Sequence, residues 1–165
     1  MTKSKENIND HARFGATPVG LLVELEDIEE RSISIFRAFN SHEHDRFDLI
    51  SYLLISLGST RGKEFITCLK EINEILQEHG RRRFEFRRVN CRCIGSDEAL
   101  LAEIIRTSSL DQIDDVITMS SLFLKPNLII SFTKLTEQFS LDLKNLIKRS
   151  TKNDYIFENV NSKLH

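Results

Sequence analysis

The stretch RRRFEFRRVNCRC, residues 81–93, sets six arginines, two phenylalanines and two cysteines into thirteen positions. It is the one part of the chain between its two ends whose pattern is not helical, so its reading decides between a purely helical bundle and a mixed fold. In an extended conformation Phe84 and Phe86 face one side, and Arg83, Glu85 and Arg87 face the other. Arg88 falls on the phenylalanine side and breaks the alternation. Beyond it Val89, Cys91 and Cys93 line up again, with Asn90 and Arg92 opposite. A bulge or turn near Arg88 would account for the slip. The pattern leaves strand, hairpin and loop open.

Outward from this stretch the pattern is helical on both sides. Upstream, Phe65, Leu69, Ile72 and Leu76 mark a buried stripe over residues 61–79, closed by Gly80. Before that, RFDLISYLLISL (residues 46–57) is apolar on almost every side, which predicts a central helix. Asp45 is its expected cap and Gly58 its stop. The first helix is expected from Thr17, as cap, and Pro18, at the first helical position, to about Phe39. Leu21, Leu25, Ile28, Ile35 and Phe39 form its stripe, and Glu24, Asp27, Glu30, Arg31 and Arg37 its polar face.

Downstream, Ser96 opens a helix with Asp97 and Glu98 in its first turn and Leu100, Leu101, Ile104 and Ile105 on one face. Ser109 and Gln112 have capping-box spacing for a fifth helix, which Pro126 interrupts. The last helix, residues 127–149, shows Leu128, Phe132, Leu135, Phe139, Leu143 and Leu146. The expected fold is mainly α: a single-domain bundle of about five to six helices with one short extended segment near residues 83–94. Residues 1–15 read as a flexible N-terminal arm, 16–150 as the helical domain and 151–165 as a polar C-terminal tail.

A chain of 165 residues is long enough to bury one core without covalent staples. Hydrophobic residues are 40% and charged residues 29%, the balance of a folded globular protein. No apolar run could cross a bilayer, no membrane association is expected, and the first fifteen residues hold no apolar signal core. Three cysteines suggest no disulfide framework and point to the cytoplasm. The net charge is −2, yet residues 81–92 carry six arginines against Glu85, or +5, leaving −7 for the remainder. A basic strip on an acidic body is the clearest functional signal.

The strip admits several chemistries. Arg81, Arg82, Arg83, Arg87, Arg88 and Arg92 suit an acidic protein partner, including a second copy of this acidic chain, in a regulatory or adaptor role. The same arginines, with Phe84 or Phe86 for base stacking and the helix start at Ser96 for phosphate, would suit nucleic acid or a phosphate ligand; no nucleic-acid-binding signature accompanies them, and a protein partner ranks first. Cys91 and Cys93, two residues apart, could share a zinc ion with His79 or, alternatively, Cys68, although that set is one ligand short of a tetrahedron. Cys93, just before a helix start and flanked by arginine, is the expected reactive thiol of a redox-responsive protein. The cluster of His42, Glu43, His44 and Asp45 reads as a solvated loop. No catalytic motif occurs at recognisable spacing, so the sequence gives no reason to propose an enzyme.

Overall fold

A computed structural model describes residues 14–150, and the expected tails lie almost wholly outside the described residues. The chain is mainly α. The described residues form six helices: α1 (Asp27–Phe39), α2 (Glu43–Leu57), α3 (Ser59–Glu74), α4 (Ser96–Ser109), α5 (Ile113–Ser120) and α6 (Pro126–Ser150). A two-stranded antiparallel ribbon joins β1 (Pro18–Leu21) to β2 (Cys93–Gly95). Its register pairs Pro18 with Gly95, Gly20 with Ile94 and Leu21 with Cys93.

The long helix α6 is the axis of the bundle. Phe132, Phe139, Leu143 and Leu146 recur at helical spacing and are all buried. The other five helices pack around this rod. Contrary to the sequence expectation, α2 is peripheral. It buries only Leu49, Leu53 and Leu57, every fourth residue, and leaves Phe47 68% and Ile55 78% exposed. An all-round apolar composition permitted a central place, but α6 with its longer single stripe took it. Gly62 lets α3 press against α2: a Cβ there would lie 2.9 Å from the Leu54 Cα.

The first helix begins nine residues later than Pro18, at Asp27. Residues 18–21 are β1, and α1 is capped at Glu26, whose backbone N–H donates to Glu29 Oε2 at 3.0 Å. Leu21, Leu25 and Ile28 fit helical spacing locally, but pairing with β2 wins. Ser96 N donates to Thr17 O at 2.9 Å, and Leu22 N donates to Arg92 O at 2.9 Å. Leu22 and Leu25 still reach apolar surroundings, against the small cluster of Ile33, Ile94 and Ala102.

Two further caps differ from expectation. α2 starts at Glu43 after His42, so Asp45 lies inside the first turn, where its carboxylate accepts from Ser41 Oγ. Ser109 ends α4 instead of starting α5; its hydroxyl donates to Arg106 O, and Gln112 precedes α5. Between these helices Asp111 takes φ 58°, the left-handed conformation that asparagine and aspartate tolerate best among non-glycine residues.

Residues 81–92 form an irregular extended segment that leads into β2. α3 loosens into a π-turn at Ile75–His79 before Gly80 releases the chain. Phe84 N then donates to Leu76 O, and Arg81 N to Phe123 O. A chain of aromatic rings binds the segment to the core. Phe65 meets Phe139 at 4.8 Å, Phe139 meets Phe36 at 5.4 Å, and Phe36 stacks on Phe86 at 5.7 Å. Phe86 continues to Phe84, Phe123 and Phe132 at 5.3 to 5.6 Å. Such pairs add about 0.5–1.5 kcal/mol each beyond their buried area.

Candidate functional site

The extended segment rests on two acidic residues at the start of α4. Asp97 and Glu98 are both buried. Glu98 accepts from Arg87 N and Gly95 N, each at 2.9 Å. Asp97 accepts from Glu85 N at 2.9 Å and holds the Arg82 guanidinium by two bonds, at 2.7 and 2.5 Å. The first-turn acids that complement the helix dipole therefore also serve as hydrogen-bond acceptors for the neighbouring backbone.

Beneath them lies Arg37. The periodicity placed it on the polar face of α1, but it is 2% exposed. Its Nε and one terminal nitrogen donate to the two Glu98 oxygens, both at 2.7 Å. It also donates to Cys91 O at 2.6 Å and Cys93 O at 2.8 Å. One guanidinium thus fixes α1, α4 and the entry to β2. A buried charge pair persists only when its hydrogen bonds are met this completely. The local signal was present: Arg37 follows buried Ile33 by one helical repeat of four. Local spacing could not reveal the partner that makes its burial tolerable.

The six arginines of the strip fall into distinct roles. Arg82 and Arg87 are engaged with the protein itself. Arg87 donates to Ala16 O at 2.5 Å and reaches the sulfurs of Cys93 at 3.0 Å and Cys91 at 3.6 Å. Its Nε is buried with no hydrogen-bond partner among the described residues. Arg81 donates from Nε to Leu124 O, and Arg83 from Nε to Gln77 Oε1, while both remain exposed. The side chains of Arg88 and Arg92 are exposed, with no hydrogen bond or ion pair among the described residues.

The two cysteines do come together. Their sulfurs share a hydrogen bond at 2.9 Å. Both thiols are free and half-buried. For Cys91, burial pushes the thiol upward, but hydrogen bonds from Cys93 and Arg87 outweigh it and leave the thiol below its ordinary range. The hydrogen bond to Cys91, with burial beside it, raises Cys93 despite Arg87. The directions favour ionisation at Cys91, where the sequence singled out Cys93. The reason is the pair: the thiol that ionises first makes the second ionisation harder.

The other expected ligands lie elsewhere. Cys68 is buried, with its sulfur 3.2 Å from Leu135 O. Burial, aided by Asp142 and Glu71, pushes its thiol up to about 12. His79 is exposed, 3.6 Å from Glu74 Oε1. Among the described residues no group of three or more histidine, cysteine, aspartate or glutamate side chains is placed to share a metal ion. Zinc would therefore find two thiols here rather than the expected three ligands.

The phenylalanines proposed for base stacking pack against the protein's own rings. Phe84 is 3% exposed, and the half-buried Phe86 stacks on Phe36 at the edge of the core. The start of α4 is occupied by its own Asp97 and Glu98, which leaves a phosphate a poor welcome there. Among the described residues no helix is long and apolar enough to cross a membrane. Comparison with family models, with curated proteins and with solved structures finds no match for this chain.

Proposed function

We propose that the outer edge of residues 81–92, with the exposed face of β1, is a docking surface for an acidic segment of a partner protein, and that the chain acts as a binding or regulatory module. The observation that carries this reading is the division among the arginines. Arg82 and Arg87 are held by the protein's own acceptors, Arg82 while still 45% exposed, whereas Arg88 and Arg92 project from a firmly held segment with no countercharge among the described residues. Arginine presented on a rigid base loses little side-chain freedom per hydrogen bond when it meets a carboxylate.

The surroundings favour protein over nucleic acid. Leu22 N donates to Arg92 O, so Arg92 flanks the strip that carries exposed Val19, Leu21 and Val23. Apolar residues rimmed by arginine make the composition of a protein interface. Of the phenylalanines that would stack on bases, Phe84 is buried and Phe86 is half-buried and already stacked on Phe36.

The test uses a fluorescent peptide of alternating glutamate and leucine and a single-stranded oligonucleotide of equal net charge. Anisotropy at low salt should show tighter binding of the peptide, and Arg88→Glu with Arg92→Glu should abolish it while the circular dichroism spectrum stays unchanged. Tighter binding of the oligonucleotide, or equal peptide binding by the double variant, overturns the reading. Concentration-dependent self-association that the same variant removes would identify the acidic partner as a second copy.

A further inference from the structure

We propose that Cys91 and Cys93 are a redox-active dithiol, oxidised reversibly to an intramolecular disulfide by a hydroperoxide. The geometry carries the inference. The sulfurs are 2.9 Å apart. The Arg87 guanidinium lies 3.0 Å from one and 3.6 Å from the other. Register pairs Cys93 with Leu21, whose side chain is exposed, so this thiol lies on the outward face of the ribbon, while Ile94 beside it is buried. The chain bends at Arg92, which brings the flanking cysteines toward each other.

A guanidinium at this distance favours a thiolate and disfavours a metal cation. With no third ligand grouped beside the pair among the described residues, the cluster suits a nucleophile better than an ion site. One thiolate attacks the terminal peroxide oxygen. An S–O bond forms, the O–O bond breaks, and the departing oxygen takes a proton to leave as alcohol, or as water from hydrogen peroxide. The second sulfur then attacks the sulfenic sulfur. The S–S bond forms, the S–O bond breaks, and hydroxide leaves as water with the remaining thiol proton. The sulfur pair loses two electrons and the peroxide gains them. An external dithiol returns the pair to the reduced form by exchange. Cys68, buried and holding its proton, stands aside as an internal control.

The full chain, reduced and then freed of reductant, is treated with one equivalent of hydrogen peroxide. The expected product has lost two hydrogens, carries its new bond within the peptide that spans residues 91–93, retains the Cys68 thiol, and reverts with dithiothreitol. In Cys91→Ser or Cys93→Ser the remaining thiol should stall as a sulfenic acid that dimedone traps. Arg87→Gln should slow closure about tenfold at pH 7 and move its pH profile upward, as a rise of about one unit in thiol pKa requires. The cysteine variants keep the test independent of any folding defect in the Arg87 variant. Linked chains, over-oxidation without closure, no trapped sulfenic acid in either variant, or reaction no faster than free cysteine would each overturn the proposal.

Discussion

Arg37 and Glu98, 61 positions apart in sequence, meet in the core through two parallel hydrogen bonds of 2.7 Å, with their side chains 1% and 0% exposed. The pair does more than neutralise charge. Glu98 also accepts two backbone N–H groups, and Arg37 also donates to two backbone carbonyls. It is the joint through which the bundle holds an otherwise irregular segment.

Removing one member leaves a buried charge without its partner. Glu98→Gln keeps the shape and should cost about 3–5 kcal/mol, read as a lower urea midpoint. The double change Arg37→Met with Glu98→Leu should cost less than the sum of the singles, because no charge remains. It should not restore full stability, since Arg87 N and Gly95 N lose their acceptor. Additive losses would show that the pair does not couple.

Gly62 tests the packing of the peripheral helix. A Cβ there would meet Leu54 Cα at 2.9 Å and Leu53 O at 3.0 Å, both backbone atoms with little freedom to yield. Gly62→Ala should raise helix propensity and still lower stability, by about 1–3 kcal/mol. A gain in melting temperature would mean that α2 and α3 are less tightly joined than this.

Cys68 predicts an alkaline limb in the stability profile. Its thiol has an ordinary value of 9.0 and is pushed by burial to about 12 in the fold. Above pH 9.0 the unfolded chain releases this proton and the folded chain does not. The stability contributed by the protonated thiol is therefore complete below 9.0 and is lost as pH rises toward about 12. Cys68→Ala should flatten that limb, at the expense of a small cavity at all pH values. Urea midpoints measured across this range check both effects.

The helical parts of the chain were legible because their information is local. Phe65, Leu69, Ile72 and Leu76, and the run from Phe132 to Leu146, state their buried faces in their own spacing. The ribbon was not legible, because residues 18–21 fit a helix equally well until β2 offers its hydrogen bonds from more than seventy residues away. α2 was misplaced for a related reason: Phe47 and Ile55 are apolar but exposed, and composition cannot say which apolar face a bundle will use. At the site, the C-x-C spacing announced the thiol pair, and the arginine run announced a basic edge. The division of that run was invisible, since Asp97 and Glu98 read as ordinary first-turn acids and Arg37 as a solvent-facing charge.

The central claim is that the arginine strip has an inner, structural set and an outer, spare set, and matched charge reversals test it most directly. Thermal melting of Arg82→Glu with Arg87→Glu is compared with that of Arg88→Glu with Arg92→Glu, two pairs of equal net charge change. The inner pair should unfold the segment and lower the melting temperature markedly, because Asp97 would face a like charge and Ala16 O would lose its donor. The outer pair should melt within about 0.5 kcal/mol of the parent, as for surface changes remote from such features. Equal losses from the two pairs would contradict the division, and with it the docking surface built on it.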